Sequence, residues 1–140
     1  MPKEHVTNIV VRSYEVDIYG HVNHAVYLNY LEHARVQAMR ETGKSFEDYI
    51  REQIFIVVVQ ANITYRAPAT LGNELEVRTN IKKIGRTSVV LQQDIINLSR
   101  HQDCVLTELT FVFLDQSQKP IAVPVQFLQQ LSWQDQPRSE

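Results

Sequence analysis

The segment from Tyr14 to Arg35, YEVDIYGHVNHAVYLNYLEHAR, decides how this chain is read. Its second half has a helical period. Tyr27, Tyr30, Leu31, Ala34 and Ala38 recur at spacings of three and four and make one apolar face. Asn23 stands where an N-cap belongs and Thr42-Gly43 supplies a stop, so the spacing predicts a helix over 23–42. The first half, residues 13–22, mixes polar and apolar side chains around Gly20 and reads as a loop that can turn sharply.

On the N-terminal side, residues 4–12 carry Val6, Ile9, Val10 and Val11 and read as a strand. On the C-terminal side, Ser45-Phe46-Glu47-Asp48 resembles a capping box, which predicts a short helix over 46–52. Strands follow at 54–66, 74–84, 87–98 and 104–114, with turns at Pro68 to Gly72, at Gly85-Arg86 and at Asp115 to Lys119. In 74–84 the apolar set Leu75, Val77, Thr79 and Ile81 alternates with Glu74, Glu76, Arg78, Asn80 and Lys82, the pattern of a half-buried antiparallel strand. A last short strand or helix takes 120–131, and about 132–140 reads as a frayed polar tail. One long helix and several strands joined by short turns predict an α+β fold with an antiparallel sheet against that helix. The whole chain, 1–140, is expected to be a single domain.

Composition narrows the function. A net charge of −2, from 14 basic and 16 acidic side chains, argues against nucleic acid as partner. A single cysteine, Cys104, rules out an internal disulfide and a multi-thiolate zinc site. No glycine-rich phosphate-binding string is present, so no nucleotide cofactor is expected. The most apolar run, Ile54 to Val59, is too short to span a bilayer, and residues 1–11 lack the apolar core of a secretory signal. The expectation is a cytoplasmic protein with no membrane partner.

The same segment also carries candidate chemistry. Asp17 lies in the loop, and His21 and His24 flank the start of the helix. The first turn of a helix offers unpaired N–H groups and a partial positive charge, which polarise a carbonyl and stabilise an oxyanion. A nearby carboxylate can attack that carbonyl or activate water. A blander assignment makes Asp17 a solvated loop residue and the two histidines surface residues. A third makes Asp17, His21 and His24 the ligands of a metal-dependent hydrolase, although no HExxH spacing supports it.

Asp17, Gly20, Val22, Asn23, His24, Ala25, Tyr27, Tyr30, Glu32, Ala34 and Arg35 together resemble the motif of the hotdog-fold acyl-CoA thioesterases, the 4-hydroxybenzoyl-CoA thioesterase and YbgC-like family. Tyr65 to Ala69 with Gly72 to Leu75, and Gly85 to Ser88, resemble that family's second and third signatures. The resemblance covers about residues 5–128 and implies a hotdog fold, an antiparallel sheet wrapped around one long helix. It implies Asp17 as the catalytic carboxylate, nucleophile or general base, with the His24 N–H holding the thioester carbonyl and the His24 side chain assisting. Gly20, Asn23 and Tyr27 would shape the acyl site, and Arg86 and Ser88 would touch the CoA nucleotide. Glu32 is expected to make supporting or subunit contacts.

The substrate implied is a fatty or aromatic acyl thioester of CoA or of acyl carrier protein, hydrolysed without a cofactor. Two features depart from the pattern. Glu15-Val16 precede Asp17 where many relatives have Thr-Asp or a second acid, and His21-Val22-Asn23-His24 mixes two branches of the family. A non-catalytic acyl-CoA-binding hotdog protein is the competing expectation; a hotdog dehydratase lacks its surrounding motifs here. Open sheet edges, together with the resemblance, imply a homodimer or homotetramer.

Overall fold

Residues 4–130 are described by a computed structural model. β1 (His5–Val10) leads through a short 3₁₀ turn (Ser13–Glu15) and the expected loop into α1 (His24–Glu41). Asn23 caps α1 as expected: its side-chain oxygen accepts the Ala25 N–H at 2.9 Å. Gly43, at φ +94°, takes the left-handed position that ends the helix. α2 (Phe46–Arg51) opens on the predicted capping box, in which Ser45 and Asp48 each bond the other's backbone N–H.

Four long strands follow: β2 (Phe55–Tyr65), β3 (Glu74–Ile84), β4 (Ser88–Asn97) and β5 (Gln102–Leu114). The region expected to hold one last strand or helix holds both, a two-residue β6 (Pro120–Ile121) and a one-and-a-half-turn α3 (Val125–Gln130). The 3₁₀ turn at Ser13–Glu15 falls inside the segment read from sequence as loop. Residues 132–140, expected to fray, lie outside the described residues. Among the described residues no helix is long and apolar enough to cross a membrane.

Every strand pairs antiparallel, in the order β1-β3-β4-β5-β2, with β6 added beside β5. The five apolar positions predicted for the helix face are all buried against this sheet. Along β3 the predicted alternation holds, with Leu75, Val77, Thr79 and Ile81 inward. The core has two parts strung along α1. Near its N-terminus Tyr27, Tyr30, Leu31 and Ala34 pack on Leu75, Val77, Ile95 and Val105. Near its C-terminus Ala38 and Met39 meet an aromatic group of Tyr49, Phe111, Phe113 and Phe127. Among the described residues β1 and β2 are the two edge strands of this order; β2 pairs with β5, and most of its residues are exposed, Val58 and Val59 at 48% and 59%.

Register defines two ends of the sheet. Val10 lies opposite Glu74 and Tyr65 opposite Val105, so the loop carrying Asp17 and the turn after β2 share one end. Ile84 lies opposite Val89 and Phe55 opposite Leu114 at the other.

Candidate active site

The loop from Val16 to Asn23 is closed by a ladder of its own. Val16 bridges Val22, the Asp17 N–H donates to the His21 carbonyl at 2.8 Å, and the Gly20 N–H donates to the Asp17 carbonyl at 3.0 Å. Gly20 sits at φ +78°, a conformation that a side chain would strain. Two further bonds dock the loop on the segment after β2. The Val22 N–H donates to the Ala69 carbonyl, and His21 bridges Thr70.

The Asp17 carboxylate is half-buried in this loop. Its Oδ1 accepts the backbone N–H groups of Tyr19 at 2.9 Å and His21 at 3.3 Å. Those bonds orient the carboxylate and leave Oδ2 without a protein partner among the described residues. Asp17 therefore both builds its turn and presents an oxygen. Asp17, His21, Val22, His24, Tyr27, Tyr65, Arg66, Ala67 and Pro68 line one open cleft of about 420 Å³. The head of α1 forms its side. Asn23 takes the Ala25 N–H through its side chain and the Val26 N–H through its carbonyl. The His24 N–H, in the first turn, has no acceptor within the helix.

Tyr27 is 4% exposed and forms the floor of the cleft. Its hydroxyl accepts the Ala69 N–H at 3.0 Å, and burial pushes its pKa above the ordinary tyrosine value. Tyr65, exposed at the end of β2, donates to the His24 carbonyl at 3.1 Å, and its ring stands edge-on to the His24 imidazole. Arg66 supplies a cation at the same rim.

The structure thus brings Asp17, His24 and Tyr27 together, with His21 beside them. Gly20 and Asn23 belong to the same loop as turn and cap, and do not line the cleft. Arg86 and Ser88 lie at the other end of the sheet. Arg86 is exposed in the β3–β4 turn, its carbonyl accepting the Val123 N–H, and Ser88 opens β4 opposite Val112. β3 alone separates these two from the cleft by roughly 30 Å at a strand rise of about 3.3 Å per residue. Within one protomer they do not meet Asp17. Tyr65, Arg66, Ala67 and Pro68 line the cleft as well; they fall in the family's second signature, which by itself assigns them no role.

Asp17, His21 and His24 share the cleft, yet among the described residues no three carboxylate, imidazole or thiol groups are grouped so as to hold an ion.

A second cavity, of about 390 Å³, lies between the far half of α1 and the first half of β2. Val36, Met39, Phe46, Ile56, Phe111 and Phe127 give it apolar walls, and Arg35 enters from α1. The Arg35 guanidinium, whose burial lowers its pKa, donates to Gln93 Oε1 at 2.9 Å. Gln93 is fully buried and donates in turn to the Leu31 carbonyl and to Thr79 Oγ1.

Residues 11–131 match the family model described as the Thioesterase-like superfamily. The chain is 39% identical over 119 residues to the long-chain acyl-CoA thioesterase FadM of Escherichia coli strain K12, covering 84% of this chain and 89% of that protein. It is 31% identical over 120 residues to the acyl-acyl carrier protein thioesterase ATL2, chloroplastic, of Arabidopsis thaliana, covering 86% of this chain and 64% of that one. Among solved structures it superimposes on the crystal structure of YbaW, a probable thioesterase from Escherichia coli, with a TM-score of 0.79 and 32% identity, over 91% of this chain and 96% of that one.

Proposed function

The chain belongs to the thioesterase-like superfamily of hotdog proteins, and from that premise we propose that it hydrolyses fatty acyl-CoA with Asp17 as the reacting carboxylate. The observation that carries this reading is the pairing in one cleft of an oriented carboxylate, with Oδ2 unengaged, and the N-terminal turn of α1. The thioester carbonyl oxygen lies against the His24 N–H, where the helix's partial positive charge stabilises the oxyanion. Asp17 either attacks the carbonyl carbon, giving an anhydride that water opens, or takes a proton from the water that attacks. In both routes the C–S bond breaks, the CoA thiolate leaves and takes up a proton, and a carboxylic acid forms. Thiolate is a good leaving group, so no strong general acid is needed at the sulfur.

Two observations support a fatty acyl group over an aromatic one. FadM, 39% identical to this chain, is named a long-chain acyl-CoA thioesterase. The apolar cavity also lies along the same two elements as the cleft, α1 and β2. An acyl carrier protein thioester is the neighbouring substrate, as in the name of ATL2. The working unit in this proposal is at least a homodimer. The edge of β2 that has no partner strand among the described residues, with Val58 and Val59 exposed, supports it. A second copy is also what would bring Arg86 and Ser88 to a cleft that they do not reach within one protomer.

The test is a thiol-release assay on CoA and carrier-protein thioesters of graded chain length, with benzoyl-CoA for comparison. Turnover that rises with chain length and disappears in Asp17→Asn is expected. Binding of acyl-CoA without release of thiol by the wild type rejects the hydrolase.

A further inference from the structure

Resting on the reading that Asp17 and the head of α1 cleave a thioester, we propose that Glu15 is the positioning residue of this site, fixing the loop that carries Asp17 against the helix that carries the His24 N–H. Glu15 stands at the neck of the loop. Its carbonyl accepts the Asn23 N–H at 3.0 Å, so the residue two before Asp17 is bonded directly to the residue before His24.

Its side chain is 7% exposed and holds both flanks. Oε1 accepts the Tyr30 hydroxyl and the Arg12 N–H, each at 2.8 Å. Oε2 accepts Arg12 Nη2 at 2.7 Å and Nε at 3.1 Å. Arg12 lies before the loop, just beyond β1, and Tyr30 lies after it, on the buried face of α1 at 2% exposure. Neither Glu15 nor Tyr30 lines the cleft, so neither touches the substrate in this reading.

Burying a carboxylate costs several kcal/mol before its partners are counted, and an apolar residue in its place is often no less stable. Packing alone therefore does not account for an acid here. Hydrogen bonds are short and directional where apolar contact tolerates sliding. A catalytic pair also loses rate when its members move by a fraction of an ångström. Four donors from both sides of the loop converge on one carboxylate, which is the construction that holds two separate segments in fixed register.

Tyr30→Phe removes one hydroxyl and keeps the ring. Glu15→Gln keeps an oxygen for that hydroxyl, and Glu15→Leu fills the space without one. With the acyl-CoA that the wild type turns over best, Tyr30→Phe is expected to lower kcat about tenfold with KM within about twofold. Glu15→Gln should retain more turnover than Glu15→Leu, and the Tyr30→Phe/Glu15→Leu double variant should be no slower than the worse single, because both break one tether. Circular dichroism sets the folded fraction by which each kcat is scaled, and if Glu15→Leu does not fold, Tyr30→Phe decides. Wild-type kcat per folded molecule in Tyr30→Phe overturns the proposal, whatever its melting temperature. If Asp17→Asn is inactive while Tyr30→Phe is unimpaired, the positioning role alone fails. A wild type that releases no thiol removes the hydrolase reading and this role with it.

Discussion

Tyr65, the last residue of β2, donates its hydroxyl to the main-chain carbonyl of His24, the first residue of α1, across 3.1 Å. The bond ties the end of the exposed edge strand to the head of the helix at the rim of the cleft. Its loss in Tyr65→Phe leaves the aromatic contacts with His24 and Tyr27 in place. A hydrogen bond of this kind is worth about 1 kcal/mol, or about fivefold in an equilibrium or rate. The expected outcome is a several-fold drop in kcat/KM with a melting temperature lowered by only a few degrees. Unchanged kinetics in Tyr65→Phe would show that the bond has no part in the reaction.

Asp17→Asn separates the charge of Asp17 from its architecture. An amide oxygen still accepts the Tyr19 and His21 N–H groups, so the turn survives. Asp17→Ala loses both the charge and the turn. Asn should therefore melt near the wild type yet lose about 10²–10⁴ in kcat, while Ala should lose stability as well. Single turnover in ¹⁸O-labelled water distinguishes the two chemical routes, because label enters the Asp17 carboxylate only if that carboxylate attacks the carbonyl.

Glu15 gives the fold an acid-sensitive contact. Burial pushes its carboxyl upward, but the bonds from the Arg12 side chain and backbone and from the Tyr30 hydroxyl outweigh it, so its pKa lies below the ordinary 4.5. A carboxyl depressed on folding adds stability above its unfolded pKa and loses it as pH falls through the folded value. The wild type should therefore be more stable than Glu15→Gln at pH 6–8, with the gap closing below about pH 4.5. Melting temperatures of the two proteins across pH 3–7 check this. A gap constant down to pH 3 contradicts the linkage.

Strand β2 offers a direct probe of assembly. The register of β2 on β5 shifts between Val58 and Gln60, which leaves Val59 unpaired and 59% exposed. A charge at an exposed strand edge opposes pairing with another chain. Light scattering should find the wild type as a dimer or larger, and Val59→Lys shifted toward monomer with reduced activity. A monomeric wild type at assay concentrations would reject the shared site.

Much of this architecture is legible in short stretches of sequence. The apolar face of α1, the Asn23 cap, the Ser45 capping box and the alternation along β3 are all visible in a window of a few residues. Each rests on an interaction within one turn of helix or one pleat of strand, so local order is enough to specify it. Gln93 shows the opposite case. In sequence it reads as half of a polar Gln-Gln pair in a strand, whereas in the fold it lies fully buried between Leu31, Thr79 and Arg35. Its partners are 14 to 62 residues away, and no local pattern encodes them.

The candidate site divides in the same way. Asp17, His24 and Tyr27 come from one continuous segment, and the order of that segment already places a carboxylate before a helix head. Tyr65 to Pro68 reach the cleft because antiparallel pairing of β2 with β5 returns the chain to the same end of the sheet. Arg86 and Ser88 are carried to the opposite end by the length of β3.

By itself, the sequence determined the helix, its cap, the strand succession and the loop that joins a carboxylate to a helix N-terminus, because those features depend on neighbours in the chain. Only the tertiary structure decided that Glu15 is buried between Arg12 and Tyr30, that Tyr65 closes on His24, and that β2 lies at the edge of the sheet among the described residues. Those outcomes depend on which strands pair and in what register, and pairing energy is collected between residues that the chain order keeps far apart.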